Sequence, residues 1–366
     1  MLGGGSELRI LVTGGAGFIG SHVAEFYARR GAEVTVFDNL SRAQLLGKGQ
    51  EHVDYNWNYL RRYPNIKLVK GDVADLESLE RECTDVEVIV HAAAQTAVTS
   101  SVANPLADFR SNALGTFNVL ETARRAKGNL AVIYTSTNKV YGNNVNKIPV
   151  RKKKTRYAFE ENFAMGVPES LSIDLCEHTP YGSSKLAGDL YVQDYAHVYG
   201  IRTGVFRMSC IYGTRQFGVE DQGWISWFII ATLTGRPITI YGDGKQVRDT
   251  LYVTDLVAAF DAFLRKRGSL AGEVFNMGGG PENTLSLLEL LDLIKECTGK
   301  KITPSYADWR PADQKVYISD IRKAKEKLGW TPKVDPREGV RMLIAWAEAN
   351  KDAFSGKSPP RRTRRT

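Results

Sequence analysis

The stretch Val12-Thr13-Gly14-Gly15-Ala16-Gly17-Phe18-Ile19-Gly20 constrains this chain more than any other. It follows an apolar run, Leu8 to Thr13, and opens a helix-like segment that reaches Arg29. Its glycines satisfy both Gly-x-x-Gly-x-x-Gly and Gly-x-Gly-x-x-Gly. Gly14 permits a tight turn, Gly17 lets the backbone approach a pyrophosphate, and Gly20 lets helix and strand pack closely. Free amides at the helix start then hold the anion. Alone, such a pattern also serves as a plain tight connection. Asp38 decides between the two, because it closes the next strand 18 residues beyond Gly20, at the reach of a ribose diol. A carboxylate there repels a 2′-phosphate, so NAD is preferred over NADP; Arg42 lies close enough to weaken that preference.

The rest of the first half agrees with a nucleotide-binding sheet. Apolar runs at Glu33 to Phe37, Ile66 to Val69, Val86 to His91 and Leu130 to Thr135 alternate with helix-like stretches, which specifies βαβ units and parallel strands. After Gly200 the pattern predicts a strand at Thr203 to Met208, a helix at Gly223 to Leu233 and a short strand at Ile238 to Tyr241. A helix at Thr254 to Arg265 and a strand at Glu273 to Met277 then return the chain to the sheet. Three more helices follow at Ser286 to Cys297, Ser319 to Leu328 and Pro336 to Ala349, the second with a Ser cap and with Gly329 at its end. The segment Lys147 to Pro180 has no clear period and opens on Arg151-Lys152-Lys153-Lys154; a long unpatterned insert is either a lid beside the active site or an interface loop.

Composition limits the partners. The net charge of +8 suggests nucleic acid, but Lys357, Arg361, Arg362, Arg364 and Arg365 supply +5 of it and leave a body of only +3. Residues 351–366 read as a basic disordered tail and Met1 to Ser6 as a loose leader, with no nucleic-acid partner implied. No run approaches a membrane span and no signal peptide is evident, so a cytoplasmic protein is expected. Cys83, Cys176, Cys210 and Cys297 are scattered without Cys-x-x-Cys pairing, and His22, His52, His91 and His197 show no metal spacing, so no metal is expected.

Tyr181-Gly182-Ser183-Ser184-Lys185 puts a phenol and an amine on one helix face. A lysine cation, assisted by a positive nicotinamide, stabilises phenolate and makes a general base of a tyrosine. Tyr-x-x-x-Lys is common on helix surfaces, and its weight here comes from lying downstream of the glycine loop and of Tyr134-Thr135-Ser136-Thr137, where Thr137 can hydrogen-bond a reacting oxygen.

With Val140-Tyr141-Gly142 completing the set, residues 8 to 350 resemble an extended short-chain dehydrogenase/reductase of the nucleotide-sugar epimerase and dehydratase group. The resemblance implies an α/β fold: a Rossmann-type, doubly wound parallel sheet with a smaller C-terminal α/β substrate domain. The cofactor unit is then 7–205 and 248–280 with the insert 147–180, and the nucleotide-sugar unit 206–247 and 281–350. It also implies tightly held NAD, a homodimer or homotetramer, and Thr137, Tyr181 and Lys185 as the catalytic residues. The cofactor would meet Gly14, Gly17, Phe18, Ile19, Gly20, Asp38, Asn39, Ser41, Arg42, Asp72, Val73, Ala92, Ala93, Ala94, Asn112, Thr135, Tyr181 and Lys185. Asp72 reads equally as a helix cap, and Ala92 to Ala94 as strand-end packing.

The dehydratases of the group that this chain resembles carry an acidic pair or a single Glu just after the catalytic threonine, as elimination demands, and this chain has Asn138-Lys139 there, which argues against dehydration and decarboxylation. Epimerisation by transient oxidation needs none. Thr137 to Gly142, Arg156-Tyr157, His178 to Tyr181 and Tyr212 to Phe217 with Asp221 to Trp224 are similar to the branch that inverts C2 of a CDP-linked hexose. A UDP-sugar 4-epimerase and a non-catalytic NAD-binding regulator are the alternatives. A turning ketosugar needs a fixed handle, and Arg215, Arg248 and Arg310 fall where the family puts its phosphate clamp, though any one arginine could be a surface charge. Gln95, Gln216 and Gln222 are substrate contacts or satisfied loop residues. Cys210 reads as a small packing residue beside the substrate.

Overall fold

A computed structural model describes residues 8–42, 54–126, 130–310 and 313–354. The leader and residues 355–366 lie outside the described residues; Lys351–Phe354, expected as the start of a disordered tail, instead form a 3-10 turn with Phe354 buried and its carbonyl accepting from Arg236 (2.6 Å). Seven strands form one wholly parallel sheet in the order Glu273–Met277, Arg202–Met208, Ala131–Thr137, Val88–His91, Arg9–Thr13, Glu33–Asp38, Ile66–Lys70. This is the Rossmann-type α/β fold. The strand order reverses beside Arg9–Thr13, which therefore pairs with both Glu33–Asp38 and Val88–His91. Such a switch point opens a crevice at the carboxyl ends of the strands, and the glycine loop lies there. The strands are near-continuous apolar runs because helices cover both faces, and Ala131–Thr137 is buried along its whole length.

A smaller sheet carries the second half. Val247–Tyr252 pairs with Cys210–Tyr212, Thr284–Ser286 and Val316–Tyr317. That strand sits in the smaller sheet although the expected boundary at 248 put it with the cofactor unit; the helix Val253–Lys266 that follows returns the chain to the large sheet. Two details differ from the sequence reading. The strand 131–137 runs two residues further than expected and carries Thr137 within it. The helix expected from Ser319 begins at Arg322 without a serine cap, because Ser319 is fully buried with its amide on the Asp249 carboxylate. The full capping box belongs to Ser286 and Glu289 instead, and Gly329 does end the later helix in the left-handed conformation.

The insert is built rather than loose. It is entered through a 3-10 stretch at Asn138–Lys147 and holds a two-stranded hairpin of Val150–Lys152 and Tyr157–Phe159 and a bridge from Val167 to Ser319. Val140, Tyr141, Val145, Tyr157, Phe159 and Val167 pack with Val247, Val316 and Tyr317 into a cluster of their own, which fastens the insert to the smaller sheet.

Candidate active site

The glycine loop turns as its spacing demands. Gly14 has φ +65° and a Cβ there would lie 2.5 Å from the Ala93 amide nitrogen, while a Cβ on Gly20 would collide with the Gly14 carbonyl. Helix Phe18–Ala28 starts at Gly17, which has no side chain to cap it, so the first amides are left for an anion. The cavity in front is lined by Gly14, Gly17, Phe18, Ile19, Gly20, Asp38, Asn39, Ser41, Arg42, Asp72, Val73, Ala92, Ala93 and Ala94. Asp38 accepts hydrogen bonds from the amides of Ala16 (3.0 Å) and Leu40 (2.8 Å), and burial pushes its carboxyl up against that support. Asp72 lines the cavity and also accepts from the amide of Ala74 and from Asn39 Nδ2. One more polar atom suits a bound dinucleotide: Gln216 lines this cavity with its buried Oε1 unpartnered among the described residues.

Several expected contacts lie elsewhere. Asn112, within a π-turn at Arg110–Leu114, is fully buried and spends its amide on Gln95, Asp108 and Ser184. Thr135 is buried and donates to the His91 carbonyl (2.9 Å). Gln95 lines the cofactor cavity, with its amide hydrogen-bonded to Ala97 and Asp108. Gln222 spans the cofactor cavity, accepting from Arg42 (3.1 Å) and donating to Thr96 (2.6 Å).

At the carboxyl end of strand 131–137, the Thr137 hydroxyl donates to Asn138 Oδ1 (3.3 Å), accepts from the Lys139 amide (3.2 Å) and lies close enough to the Tyr181 phenol to favour its ionised form; both side chains are buried. Tyr181 and Lys185 lie one turn apart on helix Thr179–Tyr199, whose entry is fixed by Pro180, by Thr179 at φ +65° and by the Ser101 hydroxyl on the Tyr181 amide (3.1 Å). The Lys185 ammonium lies 4.2 Å from the Tyr134 ring centroid, and the Tyr134 hydroxyl donates to the Lys185 carbonyl. Burial pushes the phenol up to about 12 and the Lys185 ammonium down to about 7. Burial is the larger cause at the phenol, with Thr137 lowering it and the Asp108 charge raising it. Asp108 and Ser184, which sequence reasoning missed, form a buried base under this helix: the Ser184 hydroxyl donates to Asp108 (2.5 Å), and Asp108 also takes Gln95 and Asn112. Their only sequence signal was Ser184 inside the Tyr-x-x-x-Lys motif.

Beyond Thr137, Asn138 is buried and donates to Gln314 Oε1 (3.1 Å). Burial first, and Arg248 second, push the neighbouring Lys139 ammonium down to about 8. Arg248 binds the Asp313 carboxylate (2.7 Å) and the carbonyls of Val247 and Gln314. Arg310 pairs with Asp221 (3.0 Å) over the Tyr241 ring and lines a cavity of about 670 Å³ with Asn146, Trp309, Asp313 and Lys315. Arg215 does not join them. It is buried against helix Phe18–Ala28, bound to Glu25 (2.8 Å) and His22 (2.7 Å), so its charge is matched there. Cys210 accepts from the Trp224 indole (3.0 Å), and burial pushes its thiol up to about 12, which fits packing and not reactivity.

The description "NAD dependent epimerase/dehydratase family" matches residues 10–278. The chain is 38% identical over 349 residues to a CDP-paratose 2-epimerase of Salmonella typhi, covering 93% of this chain and 100% of that one. It is 36% identical to a putative UDP-glucose 4-epimerase of Methanocaldococcus jannaschii, covering 93% and 99%. Among solved structures, the UDP-glucuronic acid 4-epimerase of Bacillus cereus, in complex with UDP-glucuronic acid and NAD, superposes with a TM-score of 0.77 at 27% identity, covering 94% of this chain and 100% of that one. With a parallel sheet, a glycine loop over a dinucleotide cavity and a Thr–Tyr–Lys line beside it, the chain belongs to the NAD-dependent epimerase/dehydratase family of nucleotide-sugar enzymes.

Proposed function

We propose that the chain epimerises a nucleotide-diphosphate hexose at C2, in a reaction of the CDP-paratose to CDP-tyvelose type. The reading is carried by the pairing of Thr137 with Tyr181 beside a position 138–139 that holds an amide and an amine instead of a carboxyl group. The likeness to the Salmonella typhi enzyme along nearly the whole chain supports C2 as the carbon.

NAD, which the glycine loop and Asp38 would hold in the crevice, would supply a positive charge near the phenol and a reversible hydride acceptor for the sugar carbon. Tyr181 removes the hydroxyl proton as the carbonyl forms, and gives it back when the carbon is reduced from its other face. Thr137 donates to the same oxygen and keeps it against the phenol. Lys185, buried beneath, holds positive charge toward the phenolate when protonated. Arg248 and Arg310 hold the diphosphate while the ketosugar turns, so residues 206–247 and 281–350 act as the nucleotide-sugar unit. Epimerisation leaves no net oxidation, so one bound cofactor serves every cycle.

We further propose a homodimer. Leu106, Phe109, Phe117, Tyr191, Val198 and Tyr199 are exposed on neighbouring helices 105–109, 115–125 and 179–199, an apolar face that a second copy would cover. All four cysteines are unpaired, as a reducing cytoplasm would leave them. No helix among the described residues is long and apolar enough to cross a membrane.

The test is incubation of the NAD-loaded protein with CDP-linked and UDP-linked hexoses in deuterated water, followed by NMR. Inversion at C2 without deuterium on that carbon is the expected result. Inversion only at C4 of a UDP-sugar would assign the chain to 4-epimerisation, and deuterium on the inverted carbon would replace the oxidation route by carbanion chemistry.

A further inference from the structure

The run Arg151-Lys152-Lys153-Lys154 has no part in the chemistry above, and the structure gives it a rigid setting. It forms the first strand and the turn of the antiparallel hairpin 150–159. The hairpin is fastened at its far side: Arg156 forms an ion pair with Glu289 and donates to Thr284 Oγ1 (2.9 Å), and Ser286 donates to the Thr155 carbonyl (2.8 Å). The Tyr157 amide donates to the Lys245 carbonyl (2.8 Å). At its near side, Ile148 and Val150 form wall of the 670 Å³ cavity that holds Arg310.

Charge inside that cavity cancels. The formal charges of its lining residues Arg310, Lys315, Asp313 and Glu177 sum to zero, and Arg310 and Asp313 carry their own ion pairs to Asp221 and Arg248. Lys152 is likewise neutralised by Asp243 (2.9 Å). Arg151, Lys153 and Lys154 are exposed and make no ion pair among the described residues, so three uncompensated charges follow Val150, which lines the cavity, along one hairpin. Lys154 stands four residues from Val150, so it lies within about 14 Å of the cavity wall.

We infer that this hairpin is a capture site for the diphosphate of the incoming nucleotide sugar, drawing the dianion to a cavity whose own lining exerts no net attraction. The inference rests on the proposed nucleotide-sugar substrate. Steering of this kind raises association rates and decays with ionic strength, as the Debye length falls from about 30 Å at 0.01 M to about 3 Å at 1 M.

The test is stopped-flow binding of CDP and of UDP to the NAD-loaded protein, followed by tryptophan fluorescence, since Trp309 lies in the cavity wall. The triple variant Arg151→Gln, Lys153→Gln, Lys154→Gln should associate roughly 10-fold more slowly at 0.01 M ionic strength, match the wild type at 1 M, and dissociate at an unchanged rate. A control triple on exposed helical positions of the C-terminal region, Lys325→Gln, Lys327→Gln, Arg341→Gln, removes the same net charge and should bind as the wild type does. Equal association by the hairpin variant at 0.01 M, or equal slowing in the control, overturns the capture site and leaves the proposed function standing. Failure of the wild type to bind either nucleotide overturns both.

Discussion

Replacing Arg215 by methionine separates a structural arginine from a substrate clamp. Its guanidinium contacts the Glu25 carboxylate at 2.8 Å and His22 Nδ1 at 2.7 Å, and sits 4.1 Å from the Tyr59 ring centroid. Side-chain exposure is 7% for Arg215 and 14% for Glu25, so the pair is screened little by water. A unit-charge pair about 4 Å apart is worth about 4 kcal/mol at an effective dielectric of 20, and removing one partner of a buried pair costs about 3–5 kcal/mol. Glu25 keeps hydrogen bonds from Tyr59 and Tyr63 and the ion pair with Arg29, which softens the loss. Arg215→Met should therefore cost about 3 kcal/mol. For 366 residues an unfolding entropy of about 2.1 cal/mol/K per residue converts this to a fall of about 4 °C in Tm. Calorimetry reads that shift, and steady-state kinetics should show a KM for the nucleotide sugar within twofold of the wild type. An unchanged Tm together with a tenfold rise in KM would refute the structural assignment and return Arg215 to the clamp.

Two further perturbations test the site. Tyr181→Phe should lower turnover by at least about 100-fold while NAD stays bound after gel filtration, because the phenol moves a proton and the cofactor rests on the glycine loop; nearly full activity would remove Tyr181 from its role. His91 lies fully buried between Thr13 and Thr116, with its imidazole pushed down to about 3 by burial and then by Lys185. Between pH 6.5 and 3 the unfolded chain binds a proton there that the folded chain does not. Stability must then fall as pH is lowered through that window, by about 1.4 kcal/mol per unit. Urea denaturation of His91→Gln should show a shallower loss between pH 7 and 5 than the wild type, and equal slopes would show that His91 contributes nothing to acid sensitivity.

Local pattern carried much of this. Gly14, Gly17 and Gly20 are readable because a turn with positive φ and two close backbone approaches admit no side chain, whatever lies elsewhere in the chain. Asp38 is readable because strand length and helix length set its distance from the loop. Tyr181 and Lys185 share a face by helical periodicity alone, and the parallel sheet follows from alternating apolar runs. The hairpin 150–159 was not readable, since its strands are three residues long and owe their pairing to anchors at Glu289, Thr284 and Lys245.

Side-chain destinations are the part that periodicity does not reach. Arg215 and Arg310 look alike in the sequence, yet one is buried in an ion pair behind the glycine-loop helix and the other borders an open cavity. Gln95 and Asn112 turn inward to Asp108, and Gln222 turns across the cofactor cavity, because residues far apart in the chain present the matching donors and acceptors. The sequence by itself determined the sheet, the dinucleotide loop and the catalytic line, since each depends on backbone geometry repeated over a few residues. Only the tertiary structure decided which charges border an open cavity and which meet each other, since a charge is assigned by its nearest desolvated partner, and those partners come from anywhere along the chain.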